Sequence, residues 1–162
     1  GDGGGAGGGA RGLSDGGGGG GRAAFQEVEI AVTLLYELGE GAPEEALKPD
    51  SGSLGQLAVA LMQASLPHAR HSLVALSVLE TYVRYSRVLH AHPGVIPAAM
   101  TAFLDGRGMG HASVDVANRA CYLFCRLVKS LRQQLRPFAA TMLTSLQPIV
   151  AKIATAPVVD AG

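Results

Sequence analysis

Apolar residues recur every three or four positions through most of the chain after Phe25, and this spacing places them on one face of an α-helix. The sequence contains no sustained alternation of apolar and polar residues, which a half-buried strand would need. The chain is therefore predicted to be all-α. The periodic segments predict six helices, over residues 25–38, 54–66, 72–89, 95–104, 113–135 and 137–156.

Glycines, prolines and capping residues set the predicted ends of these helices. Gly39 and Gly41 end the first helix, and the acidic stretch 39–53 is predicted to be a loop insertion. Ser113 is the predicted N-cap of the fifth helix, and Pro148 predicts a kink in the sixth. The predicted buried side of the third helix consists of Leu73, Leu76, Leu79, Tyr82 and Val83.

The helices form a regular series along the chain. The first, third and fifth begin near residues 25, 70 and 113, so successive helix pairs are about 45 and 43 residues apart. HEAT and armadillo repeats have periods of roughly 40 to 47 residues. We therefore expect residues 23–156 to form a HEAT/armadillo-type α-α superhelix, a solenoid of about three helix pairs that is a fragment of a longer array. A closed six-helix bundle is the alternative architecture.

The N-terminal segment differs in composition from everything that follows. Fourteen of the 23 glycines lie within residues 1–21. Such a tract cannot bury enough apolar surface to offset the entropy lost on ordering, so we expect residues 1–22 to be disordered. Residues 157–162 are predicted to be a tail. Polar residues interrupt every apolar stretch well before the roughly 18 residues that a membrane span needs.

The net charge of zero hides two segments of opposite sign. Residues 23–69 contain seven acidic residues and one basic residue, a local charge of −6. Residues 70–136 contain nine basic and three acidic residues, a local charge of +6. If sequence order maps onto spatial order, one end of the molecule suits a polyanion and the other suits a basic partner.

The fifth helix is predicted to be strongly amphipathic. At about 100° per residue, its apolar residues from Val116 to Leu135 fall on one arc and its basic residues fall on the opposite side. We call that opposite side the cationic stripe. Its residues are Arg119, Tyr122, Arg126, Lys129, Arg132 and Arg136.

The cationic stripe has two interpretations. It can be an ordinary solvated face, on which basic residues near the C-terminus stabilise the helix dipole by roughly 0.3 to 1 kcal/mol each. It can also be a polyanion contact, because the helix has no acidic residue after Asp115 whereas solvated faces usually mix both signs. Basic side chains along a helix can follow phosphates, and Tyr122 can stack on a base or ribose. The residues alone leave both interpretations open.

The sequence predicts no catalytic, cofactor or metal site. No Ser/His/Asp or Cys/His order stands out, and no pair of carboxylates lies in an apolar setting. His68 and His71 have no Cys or carboxylate near them in sequence. Cys121 and Cys125, four apart on a predicted helix, are badly placed for a disulfide and are expected to be structural. We therefore expect a non-enzymatic protein without a small-molecule substrate.

A resemblance to a known family is carried by three segments. Residues 102–131, AFLDGRGMGHASVDVANRACYLFCRLVKSL, followed by QLRPF at 134–138, resemble a stretch of the exportin-T family, the tRNA exportins of the importin-β superfamily. The upstream segments FQEVEIAVTLLYELGE (25–40) and LETYVRY (79–85) resemble the same family in the same order. The resemblance covers most of residues 25–150 and leaves out the glycine tract and the acidic insertion.

The resemblance implies a HEAT-repeat nuclear export receptor that binds tRNA together with Ran-GTP. It also implies contact with nuclear pore proteins, shuttling between nucleus and cytoplasm, no membrane association and no enzymatic activity. The RNA-binding candidates are Arg107, Arg119, Tyr122, Arg126, Lys129, Arg132 and Arg136. The alternative function is a HEAT-repeat scaffold that binds proteins and no RNA.

Overall fold

The computed structural model describes Gly1 and residues 25–64, 66 and 71–155. Over these residues it shows α-helices and short 3-10 turns and no β-strand, which confirms the all-α class. The predictions for residues 2–22, for residues 157–162 and for His68 lie outside the described residues. The helices are α1 (Phe25–Leu38), α2 (Ser53–Ala64), α3 (Ser72–Arg84), α4 (Ser86–Ala91), α5 (Ile96–Leu104), α6 (Val114–Leu131) and α7 (Ala139–Thr155).

The helices pack in two layers. α3 lies in the middle of the first layer, with α1 packed along one side of it and α6 along the other. α2 bridges α1 and α3, α5 bridges α3 and α6, and these two helices contact each other in the second layer. The first-layer helices begin at Phe25, Ser72 and Val114, close to the predicted positions. This arrangement is an α-solenoid of successive helix pairs, as the spacing predicted, and not a closed bundle.

Aromatic side chains join the two layers in the core. The rings of Tyr82 and Phe103 lie 6.4 Å apart between centroids, and those of Phe103 and Phe124 lie 5.6 Å apart. These three residues belong to α3, α5 and α6 and are at most 5% exposed. Ring pairs at such distances contribute about 0.5 to 1.5 kcal/mol each beyond the burial of their area. The aromatic cluster therefore fixes α6 against α3 and α5.

The prediction for the third helix is wrong in two respects. It was expected to run unbroken over 72–89, but the chain forms α3 and α4 with a break at Tyr85, whose ring is buried and whose hydroxyl bonds α1. Leu73 was expected to be buried and is 59% exposed. The buried arc is rotated by about one residue. It consists of Val74, Ala75, Val78, Leu79, Thr81 and Tyr82.

The ends of α6 also differ from the prediction. The helix ends at Leu131, and a turn then carries Leu135 back into the core, where it is 4% exposed. Ser113 precedes the helix, but its side chain makes no capping hydrogen bond. Its backbone N–H instead donates to Nδ1 of His111 at 2.9 Å. A buried histidine therefore closes the turn before α6, in place of a serine cap.

Candidate nucleic-acid interface

The core determines which side of α6 faces water. Leu123, Leu127 and Leu131 are at most 1% exposed, and they direct one face of the helix toward α3, α4 and α5. The opposite side carries the residues of the cationic stripe, and each of them is exposed. Arg132 and Arg136 belong to the turn that follows α6 and extend the stripe past the end of the helix.

Arg119, at the N-terminal end of the stripe, is held by α3. Its Nε donates to Oε1 of Glu80 at 2.7 Å, and one of its terminal nitrogens forms an ion pair with the same oxygen. The Glu80 side chain is only 24% exposed, whereas that of Arg119 is 46% exposed. This contact joins two helices of the first layer. It also means that the carboxylate neutralises the first cation of the stripe.

Tyr122 lies between two guanidinium groups. The guanidinium carbon of Arg119 is 5.1 Å from the centre of the Tyr122 ring, and that of Arg126 is 6.0 Å from it. Spacings of three and four residues on one helix bring these side chains together. Both distances fall in the range of cation–π attraction. The stack holds the flexible arginine side chains near the helix surface and leaves Tyr122 half exposed.

The remaining cations of the stripe differ from Arg119 in their surroundings. Among the residues that the structure describes, Arg126, Lys129, Arg132 and Arg136 have no carboxylate within 4 Å. They are concentrated at the C-terminal end of α6, where the helix dipole adds partial negative charge. Four exposed cations over about three helical turns form a positive surface that can neutralise several phosphates.

The turn after α6 is fastened to α4. Nε2 of His90 lies 2.8 Å from the carbonyl oxygen of Ser130, and Nδ1 of His90 lies 2.7 Å from Nε2 of Gln134. Because a carbonyl oxygen only accepts, the His90 ring donates through Nε2 and accepts through Nδ1. This pair of hydrogen bonds anchors the backbone that presents Arg132 and Arg136.

Arg107 is placed apart from the stripe. Its Nε donates to both carboxylate oxygens of Asp105, at 3.1 and 3.0 Å, and a terminal nitrogen lies 2.8 Å from Oδ2. The Arg107 side chain is 13% exposed. Its charge is neutralised two residues away in sequence, within the turn that connects α5 to α6. Arg107 therefore stabilises that turn, and the structure does not bring it together with the other candidates.

A trough over α3 separates α6 from α1. It has a volume of about 310 Å³ and is lined by Thr33, Tyr36 and Glu37 of α1, Leu76, Ser77 and Glu80 of α3, and Arg119 of α6. Thr33 and Ser77 face each other, with their hydroxyl oxygens 3.4 Å apart. The trough therefore has one carboxylate, Glu37, on its α1 side, and the ion pair of Glu80 and Arg119 on its other side.

Sequence reasoning missed Glu80, the acidic residue that contacts the stripe. The separation of 39 residues between Glu80 and Arg119 is close to the repeat period, so opposite charges at one repeat spacing are the signal that could have revealed it.

Other kinds of site find no support in the described part of the chain. Across residues 25–64, 66 and 71–155, no group of three or more His, Cys, Asp or Glu side chains could hold a metal ion. Cys121 is half-buried and Cys125 is exposed, and neither forms a disulfide. Burial raises the pKa of the Cys121 thiol, and the neighbouring Cys125 adds to that effect. None of the described helices has both the length and the apolar character to cross a membrane.

Comparison with known proteins gives one consistent family. The family model described as Exportin-T matches residues 13–160. Exportin-T of Arabidopsis thaliana is 42% identical over 130 residues, which is 80% of this chain and 13% of that protein. Exportin-T of Homo sapiens is 36% identical over 132 residues, and that of Oryza sativa is 35% identical over 136 residues. These alignments cover 78% and 84% of this chain and 14% of each relative. No solved structure matches.

Proposed function

Because the chain belongs to the exportin-T family, whose members are transport receptors and not enzymes, we propose that it is a segment of a receptor that binds tRNA together with Ran-GTP. In this proposal the whole receptor shuttles, carrying tRNA from nucleus to cytoplasm past nuclear pore proteins. The chain spans about one seventh of the length of the curated relatives it matches.

The observation that carries the tRNA contact is the run of unneutralised cations on α6. Arg126 and Lys129 project from a helix whose other face is fixed in the core, and Arg132 and Arg136 lie on the turn that follows it. Such a surface follows a phosphate backbone without reading bases, and Tyr122 adds a ring that can stack on a base or ribose. A receptor with a whole class of RNAs as cargo requires recognition of this kind.

The test is tRNA binding by the purified chain as a function of salt. We expect the affinity to fall as salt rises, because each neutralised phosphate releases counterions. Arg126→Glu combined with Lys129→Glu should weaken binding by at least tenfold at low salt, since each charge reversal replaces an attraction with a repulsion. Lys48→Glu with Lys152→Glu is the matched control, with the same change of charge away from α6. Equal binding by the two double variants would remove the stripe from the RNA interface.

A second candidate function is a protein-binding scaffold without RNA binding. The trough favours it, because its charged lining residues are Glu37, Glu80 and Arg119, and two carboxylates with one cation suit a polypeptide better than a polyanion. Retention of Ran only with GTP and tRNA both present would support the receptor. Retention of other proteins without any effect of nucleotide would support the scaffold.

A further inference from the structure

Glu80 is the acidic side chain that the fold places against the cationic stripe. It reaches from the middle helix of the first layer to Arg119, and its Oε1 accepts from Nε at 2.7 Å. Its side chain is 24% exposed, compared with 67% for Glu40 and 79% for Glu45, which form ion pairs elsewhere on the surface. Because it is partly buried, the Glu80 side chain has few alternative conformations. Glu80 therefore holds Arg119 in place against α3.

This pair weakens the attraction of Arg119 for phosphate in two ways. A phosphate close enough to bind the guanidinium would also lie close to the Glu80 carboxylate, so attraction and repulsion largely cancel. To turn outward, Arg119 would leave a partly buried carboxylate without its partner, which costs desolvation free energy. Stacking on Tyr122 further restrains the guanidinium in its present position.

The surroundings of the other cations of the stripe differ from those of Arg119. Arg126 stacks on the same ring of Tyr122 but has no carboxylate within 4 Å among the described residues, and the same is true of Lys129. The stripe therefore has a neutralised N-terminal end facing the trough and a strongly positive C-terminal end. A charged backbone bound to it is directed toward the turn after α6 and away from the carboxylates of α1.

We propose that Glu80 withholds Arg119 from phosphate and so limits how many phosphates of a bound polyanion the stripe neutralises. The inference rests on the proposed function, because it says which residue limits the strength and the position of RNA binding at the same interface. It makes Glu80 a positioning residue. Arg119 is then a cation that contributes only when Glu80 is removed.

The experiment compares salt dependence of tRNA binding in the wild-type chain and in Glu80→Gln. Gln keeps the size of the side chain and removes its charge. We expect affinity at low salt to rise about fivefold, the factor that one unit-charge contact at about 4 Å is worth in water. The slope of log affinity against log salt should steepen by about 0.7 to 0.9, corresponding to one further phosphate. Glu80→Ala, which leaves Arg119 no acceptor at that position, should give the same result.

Two controls separate this effect from a general gain of positive charge. Glu37→Gln removes one negative charge from the same trough, but Glu37 makes no ion pair with Arg119. This variant should therefore raise tRNA affinity less than Glu80→Gln does. In the wild type, Arg119→Gln leaves the Glu80 carboxylate unpaired beside the stripe and should lower tRNA affinity. In the Glu80→Gln background, Arg119→Gln should return both the affinity and the salt slope to the wild-type values. A gain that survives loss of Arg119, or one that Glu37→Gln reproduces, would overturn the proposal.

Elution from immobilised heparin keeps this result distinct from the proposed function. If no variant binds tRNA, the proposed function fails, and heparin still reports whether Glu80 withholds Arg119 from a polyanion. Glu80→Gln should then elute at higher salt than Glu37→Gln, and the difference should vanish when Arg119→Gln is added. Identical elution of Glu80→Gln and Glu37→Gln would refute the inference, whatever the result with tRNA.

Discussion

The hydroxyl of Tyr85 donates a 2.8 Å hydrogen bond to the backbone carbonyl oxygen of Leu35. Tyr85 lies at the break between α3 and α4, and Leu35 lies in the last turn of α1. The ring is 1% exposed. This bond therefore ties the break in the middle helix of the layer to the end of its neighbour.

Loss of that hydroxyl should destabilise the fold modestly. Tyr85→Phe keeps the ring, and the Leu35 carbonyl still accepts from the N–H of Gly39 at 3.1 Å. We therefore expect a loss of about 0.5 to 1.5 kcal/mol in the free energy of unfolding, measured by urea denaturation. Tyr122→Phe removes a hydroxyl from an exposed ring and should have no measurable effect. An equal loss in both variants would contradict the assigned role of the bond.

The Tyr85 ring also explains why the residue after α1 is glycine. A Cβ at Gly39 would lie 2.9 Å from two atoms of that ring, which is buried and held by its hydroxyl. Gly39→Ala should therefore cost about 1 to 3 kcal/mol through overpacking. Gly106→Ala, at a position with no atom within 4 Å, is the control and should be nearly neutral. Thermal unfolding of both variants is the measurement.

Tyr82 should make the fold sensitive to alkaline pH. Burial raises the pKa of its phenol from 10.0 to about 12, so the native state retains a proton that the unfolded state loses first. This contribution to stability is complete below pH 10 and is lost as the pH rises from 10 to about 12. Two pKa units correspond to about 2 to 3 kcal/mol.

Urea unfolding at pH 9, 10 and 11 will measure that loss. In Tyr82→Phe the decline above pH 10 should be smaller than in the wild type, since the ionising group is gone. A decline of the same steepness would show that other groups dominate alkaline unfolding.

The two cysteines should differ in reactivity. Because burial raises the pKa of Cys121, less of its thiol is in the reactive thiolate form, and its sulfur is also less accessible than that of Cys125. We expect iodoacetamide at pH 8 to alkylate Cys125 first, as measured by peptide mass spectrometry over time. Cys125→Ser should slow the first alkylation, whereas Cys121→Ser should leave its rate unchanged. Alkylation of both cysteines at the same rate would contradict this prediction. It would mean that α6 opens faster than the thiols are alkylated.

The spacing of apolar residues was sufficient to predict where several helices begin and which side of α6 is exposed. The starts of α1, α3 and α6 follow directly from apolar periodicity, and the exposed side of α6 follows from its strong amphipathic arc. The break at Tyr85 could not be predicted, because no glycine or proline marks it. It depends on a hydrogen bond to a residue 50 positions earlier.

The candidate site divides in the same way. Exposure of Arg126 and Lys129 could be predicted from one helix, but neutralisation of Arg119 depends on the register between α3 and α6. Arg107 is an RNA-binding candidate because of its charge and its match to the family. Its pairing with Asp105 depends on the exact shape of a turn, which residue types alone do not determine.

The middle helix of the first layer has contacts on both flanks at nearly the same height. Ser77 of α3 faces Thr33 of α1, and Glu80, one turn later, holds Arg119 of α6. If α3 rolls about its own axis, one of these contacts shortens while the other lengthens. The two distances therefore report how α3 is rotated between its neighbours, and a change in one predicts an opposite change in the other.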